Sequence, residues 1–73
     1  MQINYVVYKD NSKLYQSNES FDHLAAIDKN FYIRLSKFDN DNTLINISIL
    51  DSNIIIRATF LLQNVLFKQF YNI

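Results

Sequence analysis

From Phe31 to Thr59 the sequence repeats one figure: short runs with apolar side chains at every second position, separated by clusters of Asp, Asn and Ser. Phe31, Ile33 and Leu35 alternate with Tyr32, Arg34 and Ser36. Beyond Asp39-Asn40-Asp41-Asn42, the residues Ile45, Ile47 and Ile49 alternate with Leu44, Asn46 and Ser48. Asp51-Ser52-Asn53 then leads into Ile54-Ile55-Ile56-Arg57-Ala58-Thr59. In a strand successive side chains point to opposite faces, so a period of two puts one apolar row on one face of a sheet. The stretch therefore predicts three strands and two tight polar turns, an antiparallel meander.

The flanks supply the remaining elements. Ile3, Tyr5, Val6, Val7 and Tyr8 are strand formers. Lys9-Asp10-Asn11-Ser12-Lys13 is a turn, because Asp, Asn and Ser bond locally to the backbone. Leu14–Ser17 is thin in apolar content and reads as a short return strand at an edge, where Lys9 and Lys13 discourage stray pairing. Ser20 offers a cap for a helix running to Lys29, with Phe21, Leu24, Ala25 and Ile27 on one face and Asn30 closing it. Over Phe60–Ile73, helical spacing aligns Leu62, Leu66, Phe70 and Ile73, with Val65 beside them. The rival for this segment is a further strand over Val65–Tyr71.

The expected fold is thus α+β: a small antiparallel sheet of four to five strands in the order β-β-α-β-β-β-α, with two short helices packed on it, in one domain spanning 1–73. The last five of those elements share their topology with double-stranded-RNA-binding domains. No basic cluster opens the final helix, so no family is assigned.

Composition narrows the function classes. Seven basic residues balance seven acidic ones. Zero net charge argues against a nucleic-acid binder driven by bulk electrostatics and equally against an acidic mimic of DNA. With 49% hydrophobic residues the chain is too apolar for a disordered segment. Cys is absent and His occurs once, which removes disulfides and thiolate or multi-histidine metal sites. A core of this size rarely supplies more than roughly 3–5 kcal/mol, so a partner subunit is the support still open to it. No apolar run approaches the ~18 residues of a membrane span, and no signal peptide opens the chain. A cytoplasmic protein is expected, without cofactor, metal or small-molecule substrate.

Gly and Pro are both missing, while Asn and Ile occur ten times each. Codon-like bias of this kind points to an AT-rich genome, such as that of a phage or mobile element. Turns that need positive φ must then use Asn or Asp, the non-Gly residues that tolerate it best.

Candidates for chemistry are few. His23 neighbours Asp22 and Glu19, yet adjacent helical residues point apart and no activated nucleophile lies close in sequence. Asp39, Asp41 and Thr43 suggest a calcium loop, but its sixth and twelfth positions hold Leu44 and Leu50 instead of Gly and Glu. Asn18-Glu19-Ser20 and Asn46-Ile47-Ser48 match glycan acceptors, the second in mid-strand. No glycine-rich phosphate loop exists. The chain reads as a non-enzyme.

Two features point to binding. Ile54-Ile55-Ile56 breaks the alternation, and a strand that is apolar on both faces wants cover on both. Tyr32, Arg34, Ser36 and Phe38 share one face of their expected strand, with Arg57 near. Such residues form protein-interface hot spots or stack unpaired bases. The expected contact set is Tyr32, Arg34, Phe38, Ile55 and Arg57. The expected function is a protein-interaction module that covers a partner's surface, with a homodimer as one form. It would suit a small inhibitor of a host protein, including a modulator of host defence. Single-stranded nucleic acid is the alternative ligand.

Overall fold

The computed structural model describes the backbone of residues 1–71 and the side chains of residues 1–66. Its elements are β1 (Gln2–Lys9), β2 (Ser12–Ser20), α1 (Lys29–Ser36), β3 (Leu44–Asp51), β4 (Ile54–Leu61) and α2 (Leu62–Tyr71), with a single 3₁₀ turn at Leu24–Ala26. The strands form one antiparallel sheet in the order β2-β1-β3-β4. The fold is the small antiparallel α+β arrangement expected, with four strands and two short helices. Of Phe60–Ile73, Phe60 and Leu61 are the end of β4 rather than helix, and Leu62–Tyr71 is the helix; the side chain of Phe70 and all of Ile73 lie outside the described residues.

Without glycine, the turns use the side chains that tolerate a left-handed backbone. Asp10 and Asn11 have φ of 51° and 64°. Positive φ at both central residues is the two-residue turn whose twist matches a right-handed hairpin. Asn42 takes φ 68° just before β3. Ser52, at φ 55° in the β3–β4 turn, is the one such residue among those described that is neither Asn nor Asp.

Two elements differ from expectation. The segment from Ser20 to Lys29 is not a helix: β2 runs on to Ser20, and only Leu24–Ala26 coils, as one 3₁₀ turn. Leu24 is 65% exposed, so its side chain has no core to enter. Phe31–Ser36 is not a strand but most of α1. Phe31, Tyr32, Ile33 and Leu35 satisfy a period of two and a period of 3.6 alike. The start signal is Asp28, whose Oδ1 accepts a hydrogen bond from the Phe31 backbone N–H at 3.2 Å. Phe31 and Leu35, one turn apart, are buried; Ile33, on the far side, is 52% exposed. The helix-strand-strand-strand-helix order is therefore absent, and with it the topology shared with double-stranded-RNA-binding domains.

Both helices cover the same face of the sheet. The core joins Ile3, Tyr5 and Val7 of β1 with Ile45 of β3, Phe31 and Leu35 of α1, and Leu62 and Leu66 of α2. These strand residues are in register, Val7 opposite Ile45, so they form one row on one face. Asn4, Val6, Tyr8, Asn46 and Ser48 lie on the opposite face, which neither helix covers. The chain passes from β4 into α2 with no loop, and the Leu62 N–H bonds to the Thr43 carbonyl at 2.8 Å. That bond ties the start of α2 to the residue before β3.

Candidate functional site

On the helix-covered face, the side chains fall into two unlike groups. Over β1 and β2 the roof is aromatic. Phe31 meets Tyr5 edge-on with ring centroids 5.4 Å apart, and Phe21 and Tyr32 meet Phe31 in the same way at 6.0 and 5.2 Å. Phe38, just past α1, stacks on Tyr15 of β2 at 5.3 Å. Edge-to-face and offset contacts in this range are the favourable geometries for aromatic rings.

A polar clasp locks the same region. The buried Tyr5 hydroxyl donates to Glu19 Oε2 at 2.8 Å, and Glu19 Oε1 is ion-paired to Arg34 of α1. One carboxylate thus joins β1, β2 and α1. Burial, reinforced by the bond to Glu19, holds the Tyr5 phenol far above its ordinary value of 10.0. Burial also raises Tyr32.

Over β3 and β4 the roof stops short. Ile47 and Ile49 are only partly covered. Ile54, Ile56 and Phe60 continue that row on β4 and are 62%, 56% and 44% exposed. On the other face Ile55 is 56% exposed, with Arg57 beside it.

β4 is also an edge, and no strand among the described residues pairs with its outer side. In a two-residue hairpin the residues flanking the turn, Asp51 and Ile54, exchange hydrogen bonds, and the pattern then alternates. Ile54, Ile56, Ala58 and Phe60 therefore direct their N–H and C=O groups at β3. The backbone groups of Ile55, Arg57 and Thr59 and the N–H of Leu61 face outward with no strand among the described residues to pair them, while the Leu61 carbonyl opens the hydrogen-bond ladder of α2.

The five residues singled out from the sequence separate into two places. Tyr32, Arg34 and Phe38 belong to α1 and its exit, above β1 and β2. Arg34 is held by Glu19 and Phe38 by Tyr15. They do not form a face of a strand, because the segment is helical and residues two apart on a helix point in different directions. Ile55 and Arg57 do share one face, on β4, opposite the helices. The stretch Ile54–Ile56 was legible as a strand apolar on both sides. Ala58 and Phe60, which complete the exposed row, carried no separate signal.

Other candidates dissolve on placement. His23 is exposed just before the 3₁₀ turn, and Glu19 is committed to Tyr5 and Arg34. Asn46 spends its amide on Thr59 across the strands, at 2.9 Å. Among the described residues no group of His, Cys, Asp or Glu could hold a metal ion, and no helix is long and apolar enough to cross a membrane. No protein-family model matches the chain, and neither does any curated protein or solved structure.

Proposed function

We propose that this chain is a non-enzymatic protein-interaction module whose contact surface is β4: its outward backbone edge and the isoleucines on either side of it. The observation that carries the reading is the coincidence of exposed Ile54, Ile55, Ile56 and Phe60 with an unpaired edge strand. Large apolar side chains gathered in one patch mark interaction sites, and a bare strand edge is a template for pairing. The mechanism is occlusion, in which this surface covers a working surface of the partner.

Arg57 is the single charge on β4, so the surface favours an apolar partner over a phosphate backbone. The alternative, stacking of single-stranded bases on Tyr32, Arg34 and Phe38, loses its support because those side chains are packed on or paired with neighbours. The AT-rich composition and small size accord with a cytoplasmic product of a phage or mobile element that restrains a host protein.

Ile55→Asp tests the reading. Ile55 is exposed, so the variant keeps its fold by circular dichroism. Complexes that wild type forms, with itself in light scattering or with a protein captured from its source cell, weaken at least tenfold. Association that Ile55→Asp, Ile56→Asp and Phe60→Asp all leave unchanged refutes it.

A further inference from the structure

The occupant of the β4 edge can be specified from the strand itself. We propose that it is β4 of a second copy of this chain, paired antiparallel about a two-fold axis at Ala58, giving an eight-stranded sheet in the order β2-β1-β3-β4-β4-β3-β1-β2. This deepens the functional reading above and rests on it.

The register follows from which backbone groups are free. Ile55, Arg57, Thr59 and the N–H of Leu61 face outward, so in an antiparallel pair hydrogen-bonded positions must match one of these with another, Leu61 as a donor alone because its carbonyl serves α2. A two-fold centred on Arg57 or on Ala58 pairs the strand over its greatest length, residues 54–60 or 55–61. Centring on Ile56 or Thr59 shortens the overlap to 54–58 or 57–61. The Arg57-centred register sets Arg57 directly against its own copy, and like charges directly opposite are destabilising. The Ala58-centred register sets Arg57 against Thr59.

Its other pairs are also matched. On the helix-covered face Ile56 meets Phe60 of the second copy twice over, an aromatic on a β-branched side chain, flanking Ala58 on Ala58. On the open face Ile55 meets Leu61. Such cross-strand pairs are the favourable ones. At the centre, Ala58 and its copy form a pair without mutual hydrogen bonds, the closer kind, with Cα atoms about 4.5 Å apart. A two-fold perpendicular to the sheet keeps all four helices on one side, so the half-covered Ile47 and Ile49 of both copies adjoin one apolar floor.

The other edge is built against such use. β2 has a bulge opposite Val7 and Tyr8, where Leu14 is 45% exposed, and the rest of its outward row is polar. Lys13, Gln16, Asn18 and Ser20 are all exposed there.

Two measurements test the pairing on the whole chain. Light scattering over a concentration series gives twice 8.7 kDa for wild type, and the monomer mass for Ile56→Asp. Cysteine scanning then reads the register, since the protein has no thiol of its own. Ala58→Cys forms an intermolecular disulfide under mild oxidant, because its Cα spacing falls within the reach of an S–S bond. Ile56→Cys and Arg57→Cys, each opposite a different residue of the second copy, cross-link at least tenfold less. A monomer at every concentration overturns the proposal. So does cross-linking that peaks at Arg57→Cys. If the chain is monomeric but still captures a foreign protein in a manner lost with Ile55→Asp, self-pairing is refuted while the interaction module stands. If capture also fails, both fall.

Discussion

The two edges of this sheet are built from opposite materials. β2, apart from Leu14 at its bulge and the covered Tyr15, is polar, and it is clasped from above: Tyr15 lies under Phe38, and Glu19 accepts from Tyr5 and Arg34. β4 is apolar on both faces, and its Ile54, Ile55, Ile56 and Phe60 are all exposed. The difference shows how a chain with two short helices spends its cover. α1 and its aromatic residues close the β1–β2 half, Leu62 and Leu66 of α2 join Ile45 in the core, and Ile54, Ile56 and Phe60 are left exposed. One half supplies the fold and the other is left with a surface to fill.

If the halves divide labour in this way, substitutions of the same type must behave differently in each. Phe31→Ala removes the ring that makes three aromatic contacts, with Tyr5, Phe21 and Tyr32. It costs about 3–5 kcal/mol, roughly all that a core of this size supplies. The variant is expected to be unfolded by circular dichroism at 25 °C. Phe60→Ala at the same dilution, below any association, shifts the urea midpoint by an amount worth less than about 1 kcal/mol. Equal losses at the two positions would erase the distinction.

Tyr5→Phe probes the clasp alone, since the ring stays and only the hydroxyl leaves. Losing a bond to a charged acceptor costs about 1.5–3 kcal/mol. The same substitution changes the alkaline limb. The folded chain keeps the Tyr5 proton above the ordinary value of 10.0, whereas the unfolded chain releases it there. Between those two values the native state binds more protons, so stability falls as pH rises past 10.0. Urea titrations between pH 8 and about 11.5 should show that fall in wild type and a shallower one in Tyr5→Phe.

The smallest effect lies on the seam between the halves. Thr43 is 1% exposed, and its hydroxyl has no partner among the described residues while its carbonyl holds the start of α2. Thr43→Val keeps the shape and removes that buried hydroxyl. It should stabilise by about 1 kcal/mol in thermal unfolding. A loss of stability would mean that the hydroxyl is engaged.

The division between the halves was partly legible in the residues. Alternation placed β3 and β4, local turn chemistry placed the β1–β2 hairpin, and the thin apolar content of Leu14–Ser17 marked β2 as an edge. The run Ile54–Ile56 announced a strand in need of cover on both faces. What could not be read was α1. Phe31, Tyr32, Ile33 and Leu35 fit either period, and a helix placed at Ser20–Lys29 removed the need for another beside it. Asp28 was the discriminating residue, because a carboxylate three positions before Phe31 satisfies an N–H that only a helix start exposes. With that segment misread, Tyr32, Arg34 and Phe38 passed for a strand face when they are roof and clasp. Tertiary packing decided between the periods, and the sequence alone does not contain the aromatic partners' positions.

Amide hydrogen exchange at the two edges tests the division most directly. Gln16 and Asn18 on β2 and Ile55, Arg57 and Thr59 on β4 all point their N–H groups away from the four-stranded sheet. In a solution concentrated enough for self-pairing, Ile55, Arg57 and Thr59 should exchange at least tenfold more slowly than Gln16 and Asn18, and the protection should vanish on dilution. Equal, unprotected exchange at both edges at every concentration would contradict a β4 surface built to be covered.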